Sequence, residues 1–251
     1  MPTKQNFYPA RGWKPENDLI ALSAEEREII ADAAPYTMTG LSRLHALMIA
    51  VRHIVVAGIP GAFAECGVWR GGSVRAIATT LLRLGITDRT LYLFDTFSGM
   101  TDPGEEDVSA FDGRAIDLWE KAKKNGERLA GDTFRDEIVN ESAVRSIVLS
   151  SGYPESRVHT VRGPVEETLP GQAPAQLALL RLDTDFYQST KHELQTLYPR
   201  LAPGGVLIVD DYGHWQGARQ AVDEYFAALG EPILLTRVDY TCRLAVKPGR
   251  P

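Results

Sequence analysis

Leu177-Ala178-Leu179-Leu180-Arg181-Leu182-Asp183-Thr184-Asp185 decides the fold class of this chain. Up to Asp183 it is a near-continuous apolar run, the pattern of a strand buried on both faces, and such strands belong to parallel sheets covered by helices. Val206–Val209 is another buried strand, closed by Asp210-Asp211. Between the two, Tyr187–Leu201 reads as a helix ended by the turn Pro203-Gly204-Gly205. Toward the N-terminus, Ala62–Val68 reads as a strand followed by a helix to about Leu84, Thr90–Phe97 as a second strand and Arg157–Arg162 as a third. Toward the C-terminus, Gln216–Leu229 is helical. Pro232–Val238 and Cys242–Lys247 are then two strands with three residues between them, a hairpin that puts an antiparallel strand at the end of the sheet.

The flanking segments follow from local signals. Residues 1–20 are polar and proline-punctuated, and read as a loosely ordered arm. Ser23 is placed to cap a helix, with Glu26 as its capping-box partner. Thr39–Ala57 is helical, with Leu41, Leu44, Leu47, Met48, Val51 and Val55 on one apolar face that suits either the core or a homo-oligomer of two or more chains. Residues 98–150 break the strand–helix rhythm with the charged run Asp102-Pro103-Gly104-Glu105-Glu106-Asp107, then weak helices around Ile116–Lys124 and Phe134–Leu149. Following the second strand on the ligand-binding edge, this insertion reads as a lid over a substrate or as a solvated decoration. The expectation is one α/β domain over residues 1–251: a doubly wound, Rossmann-like, mostly parallel sheet, with N-terminal arm and helices to residue 57 and an insertion at 98–150.

Composition narrows the function. With 251 residues, 44% hydrophobic and 24% charged, the chain matches an ordinary soluble protein with one large core. Its 33 acidic and 27 basic residues give a net charge of −6, and no basic patch suggests nucleic acid. The longest apolar run, Ile54–Ile59, is far short of the roughly 20 residues that cross a bilayer, and Met1–Pro15 lacks the apolar core of a signal peptide. A cytoplasmic protein without a membrane partner is expected. Cys66 and Cys242 have no C-x-x-C spacing and read as buried free thiols.

Three stretches carry chemistry. Glu65-Cys66-Gly67-Val68-Trp69-Arg70-Gly71-Gly72-Ser73 runs from strand end into helix start, where Gly67, Gly71 and Gly72 allow close ligand approach and the helix start at Ser73 offers N–H groups. The spacing is not G-x-G-x-x-G, and an acid before the first glycine suits a cationic or amino-acid-bearing ligand. Asp95, ending the second strand, is placed to bond both hydroxyls of a ribose, whichever cofactor carries it. Ser98 and Gly163, after the second and third strands, join this binding set. Asp183 and Asp210-Asp211 end neighbouring strands about 4.8 Å apart, close enough to share an ion, and all-oxygen ligation suits Mg²⁺ or Ca²⁺. Without a cation these acids and Asp185 repel one another. His192 and His214 are nearby, and each reads more readily as a hydrogen-bonded residue than as a catalyst. Trp215 and Tyr212 could wall a substrate pocket.

Taken together and in order, these motifs, with Tyr36-Thr37-Met38-Thr39 upstream and Leu201-Ala202-Pro203-Gly204-Gly205 between them, resemble the macrocin and mycinamicin sugar O-methyltransferase family over residues 36–246. The resemblance implies a class I methyltransferase fold, S-adenosylmethionine as donor, Mg²⁺ as activator and a deoxysugar hydroxyl of a glycosylated natural product as acceptor. It implies that Asp183, Asp210 and Asp211 hold the metal, that Asp185 is the general base, and that Thr37, Met38, Glu65, Asp95 and Asp183 serve the donor. Some relatives carry a histidine in the insertion, whereas residues 98–150 contain none, which shifts the base to Asp185. On an extended strand end Asp183 and Asp185, two apart, share a face. The alternatives are a metal-dependent catechol-type O-methyltransferase, an NAD-dependent oxidoreductase, and a binding protein that keeps the fold without chemistry.

Overall fold

The computed structural model describes residues 22–127, 129 and 139–249. The arm expected over residues 1–20 and the helix start expected at Phe134 lie outside them. In chain order the elements are α1 (Ala24–Ala33), α2 (Leu41–Val56), β1 (Ala62–Cys66), α3 (Gly72–Arg83) and β2 (Leu91–Asp95). A small ribbon, β3 (Val108–Ser109) and β4 (Gly113–Arg114), leads into α4 (Ala115–Lys124) and α5 (Glu141–Leu149). Then come β5 (Val158–Arg162), α6 (Val165–Thr168), β6 (Leu177–Leu182), α7 (Tyr187–Leu197), β7 (Leu201–Val209), α8 (Gln216–Leu229), β8 (Thr236–Arg237) and β9 (Arg243–Val246).

The sheet runs β5-β2-β1-β6-β7-β9-β8. Its first five strands are parallel, β9 runs antiparallel to β7, and β8 pairs antiparallel with β9 in the expected hairpin. Every residue of β6 is buried. Alternation along the strands splits the core in two. Leu179 and Ile208 pack with Leu47, Val51 and Ile54 of α2, Ile77 of α3 and Val144 of α5. Leu180, Leu182, Leu207 and Val209 pack against Val165 of α6, Leu194 of α7 and Val222 of α8. Strand order reverses between β1 and β6, and ligands in such sheets bind at the carboxyl ends of the strands there.

At the N-terminal end, Ser23 Oγ accepts the Glu26 N–H and Glu26 Oε2 accepts the Ser23 N–H, completing the capping box of α1. Ile29 and Ala33 of α1 cover Leu44 and Met48 of α2, so much of the α2 apolar face is buried within the chain. No helix among the described residues is long and apolar enough to cross a membrane.

Three expectations are corrected. The helix of residues 187–201 ends at Leu197, where Pro199 turns the chain into a 3₁₀ turn, Tyr198–Arg200. Pro203-Gly204-Gly205 does not end a helix: it lies inside β7, whose pairing jumps from Leu177–Leu201 to Leu179–Val206. The additional residues bulge, Gly204 takes φ +79°, and Gly204 and Gly205 both bond the Lys247 backbone. The strand expected over 232–238 shortens to Thr236–Arg237, leaving Leu234 81% exposed.

Within residues 98–150, α5 puts Val144 and Val148 into the main core. The preceding ribbon and α4 stand over the carboxyl edge of the sheet. Ala115 packs there with Phe186, Trp215 and Ala218, and Ser109 pairs with Trp215.

Candidate active site

A cavity of about 760 Å³ opens at this edge, within the size range of small-molecule sites. Thr37, Met38, Glu65, Gly67, Ser73, Asp95, Gly163 and Asp183 line it, together with Asp185, Asp210, Asp211, His214 and Trp215. Gly71, Gly72 and Ser98 do not. At Gly67, Gly71 and Gly72 alike a Cβ would crowd neighbouring backbone or side chains. A Cβ on Gly67, at φ +80°, would stand 2.0 Å from the Asp183 carbonyl oxygen, and one on Gly72 2.5 Å from that of Tyr36. Gly71 is the left-handed N-cap of α3, pressed by Val144 and Val148.

Asp183, Asp210 and Asp211 each offer a carboxylate oxygen, and these lie within 4.8 Å of one another. Arg181 is the centre of the charge arrangement, buried to 1% exposure. It donates to Glu65 Oε1 at 2.5 Å, Asp183 Oδ2 at 2.6 Å, Asp210 Oδ1 at 2.7 Å and Thr39 Oγ1 at 2.9 Å. Arg43 of α2 pairs with the other oxygen of Asp210 and, at 3.2 Å, with Asp239. The acids are therefore not left to mutual repulsion, as a count of carboxylates alone suggests.

Two buried carboxylate oxygens of the site have no hydrogen-bond partner among the described residues, Glu65 Oε2 and Asp211 Oδ2. Burial lifts Glu65 to about 8 despite Arg181, and lifts Asp211, beside Asp185, well above the ordinary range. Burial opposed by Arg181 leaves Asp183 at about 7. Burial also works upward on Asp210, but Arg181 and Arg43 hold it below its usual value.

Asp185 does not continue an extended strand end. It sits at φ +68°, in a turn closed by the Phe186 N–H on the Thr184 carbonyl at 2.8 Å. The left-handed turn, not strand alternation, brings it beside Asp183. The Trp215 indole N–H donates to its Oδ1 at 3.0 Å, and burial together with the Asp183 charge pushes it to about 8.

Asp95 turns its carboxylate on the backbone, accepting from Val68 N at 2.6 Å and Trp69 N at 3.1 Å in the loop between β1 and α3 and from Phe97 N at 2.7 Å in its own loop. His214 pairs with Asp112 at 2.8 Å and with the Tyr240 hydroxyl at 3.2 Å, joining the insertion to the loop after Asp211. His192 bonds the Leu169 carbonyl at 3.2 Å and does not line the cavity. Cys66 and Cys242 are buried free thiols.

The sequence matches the macrocin O-methyltransferase (TylF) family over residues 14–246. The chain belongs to this family. It is 34% identical, over 82% of its length and 73% of the other's, to 8-demethyl-8-(2,3-dimethoxy-α-L-rhamnosyl)-tetracenomycin-C 4′-O-methyltransferase of Streptomyces olivaceus. Demethyldecarbamoylnovobiocin O-methyltransferase of Streptomyces niveus is also 34% identical, over 78% of this chain and 69% of that one. The fold superposes on that of the O-methyltransferase NovP with a TM-score of 0.70 at 30% identity, covering 85% of this chain and 83% of that one.

The macrocin O-methyltransferase family makes this protein an S-adenosylmethionine-dependent O-methyltransferase, and the nicotinamide reading is set aside. Three members of the site were not assigned from sequence. Arg181 stood inside a quoted motif, and its signal was a lone cation in an apolar run, two residues before Asp183. Arg43 and Asp239 lie far from the acids in sequence, and nothing local marks them.

Proposed function

We propose that the protein methylates a hydroxyl of a deoxysugar carried by a glycosylated small molecule, with Mg²⁺ held by Asp183, Asp210 and Asp211. The observation that carries this reading is the group of three strand-end carboxylates opening on the cavity, with Asp211 Oδ2 buried and unpartnered. An all-oxygen donor set of this kind fits a hard divalent cation. Bound there, the ion supplies Lewis acidity that lowers the pKa of an acceptor hydroxyl. The two relatives named above act on a rhamnosyl tetracenomycin and a novobiocin precursor, which supports a glycosylated acceptor.

The chain's own residues do the rest. Glu65 Oε2, unpartnered on the cavity wall, suits the ammonium of the donor's methionine portion. Thr37, Met38, Ser73, Asp95 and Gly163 line the space left for its nucleoside. Trp215 holds one oxygen of Asp185, and the other takes the acceptor proton. Holding the reactants in line supplies much of the acceleration.

Asp185→Asn should keep S-adenosylhomocysteine affinity and lose at least a hundredfold in kcat. Near-wild-type turnover in that variant rejects the base assignment. EDTA should stop methylation and Mg²⁺ restore it, while undiminished activity in EDTA rejects the metal. Assay of 6-deoxyhexosyl polyketides against simple catechols tests the acceptor class.

A further inference from the structure

Behind the site lies a buried acid that the reaction does not use. Glu193, on α7, is 0% exposed, on a helix whose Leu194 and Leu197 pack into the core. The Thr184 hydroxyl donates to its carboxyl, 3.0 Å from Oε1 and 3.2 Å from Oε2. The Cys66 thiol, at the end of β1, is its other partner. Among the described residues no cation pairs with it, and it does not line the cavity. Burial raises this carboxyl well above the ordinary range.

An acid here is costly to bury, because it gives up water for one hydroxyl and one thiol with no cation among the described residues to pair with it. What it touches is the turn that carries both functional acids. The Thr184 carbonyl is held by the Phe186 N–H at 2.8 Å and the Ser189 hydroxyl at 3.4 Å. The Asp183 N–H bonds the Cys66 carbonyl at 2.9 Å, so Cys66 meets this turn through its backbone and Glu193 through its thiol. Asp185 keeps a left-handed φ of +68°, a conformation that persists in a non-glycine residue only when its surroundings over-determine it.

We propose that Glu193 is a positioning residue for methyl transfer: gripping the Thr184 hydroxyl from behind, it fixes the turn that aims Asp183 and Asp185 into the cavity. This rests on the roles proposed above for those two acids.

The test uses Glu193→Leu, Glu193→Gln and Thr184→Val in the full chain. Melting temperature, S-adenosylhomocysteine titration, Mn²⁺ binding by electron paramagnetic resonance, and kcat on a rhamnosylated polyketide are read together. Glu193→Leu, which leaves the Thr184 hydroxyl unpaired, should melt slightly below wild type and bind S-adenosylhomocysteine equally well, yet lose at least tenfold in kcat and in Mn²⁺ affinity. Glu193→Gln, which keeps the side chain's length and an oxygen to accept the Thr184 hydroxyl, should restore both. Thr184→Val removes the same contact from the other side, should match the leucine variant, and decides the matter if that variant fails to fold. Wild-type kcat in both Glu193→Leu and Thr184→Val overturns the proposal. If Asp185→Asn is fully active or wild type binds no Mn²⁺, it is the base or metal role that falls, and kcat alone then decides Glu193.

Discussion

Arg181 shows how one residue sets the electrostatics of the site. Its guanidinium meets Glu65, Asp183 and Asp210 at 2.5–2.7 Å with 1% exposure. Taking charges into a low-dielectric interior is costly, and removing one partner of a buried pair leaves the other uncompensated. Arg181→Met should therefore cost about 3–5 kcal/mol, read as a lower urea midpoint, although Met fills much of the same space. A loss below about 1 kcal/mol would mean that Arg43 alone balances the acids, given the usual worth of a dispensable pair. At this scale the sequence was half legible. Asp183, Asp210, Asp211 and Glu65 announce themselves at strand ends, because β6 and β7 are apolar runs that stop at carboxylates. Their cations do not: Arg43 reaches Asp210 from a helix 167 positions earlier in the chain.

Between elements, the insertion is docked by a residue read only as part of a charged run. Asp107 is 1% exposed. Its Oδ1 accepts the Tyr187 N–H at 2.8 Å, and its Oδ2 the Gly104 N–H at 2.7 Å. The first turn of α7 is thus capped from outside, since Phe186 at its N-cap has no side-chain oxygen. On the other side, Gly217 of α8 makes room: a Cβ there would stand 1.9 Å from Asp107 Oδ1. Asp107→Ala should lose about 1–2 kcal/mol, the worth of a helix cap, and raise KM for the acceptor severalfold with S-adenosylhomocysteine affinity unchanged. Gly217→Ala should reproduce the KM effect by pushing the same carboxylate out. Unchanged acceptor KM in both would mean that the insertion does not form the acceptor wall. Periodicity revealed most of α2, α3, α8 and the parallel strands because each carries its own apolar pattern. It misplaced Pro203-Gly204-Gly205, since a bulge inside β7 is set by pairing with Lys247 and not by local composition.

For the whole molecule, the sheet gathers at its switch point more carboxylates than the buried Arg181 and the half-buried Arg43 balance, and this ties stability to pH. In the metal-free protein burial raises Glu65 and Asp185 to about 8 and Asp183 to about 7. Unfolded carboxyls release their protons near pH 4. Between about pH 4 and 8 the folded state therefore holds more protons than the unfolded one at these groups, and stability falls as pH rises through that window. The urea midpoint in EDTA should accordingly decrease from pH 5.5 to pH 8.5. A cation that binds the ionised folded site and not the unfolded chain adds stability by mass action, and its binding requires deprotonated ligands. Saturating Mg²⁺ should therefore raise the midpoint most at pH 8.5 and hardly at pH 5.5, flattening the profile. Asp211→Asn should abolish the Mg²⁺ effect and itself stabilise the EDTA form at pH 8.5, because it removes a buried acid whose Oδ2 has no partner. A midpoint in EDTA that stays level or rises with pH would show that the arginines already hold these carboxylates ionised. Mg²⁺ would then have no proton to displace, and its effect would be the same at both pH values.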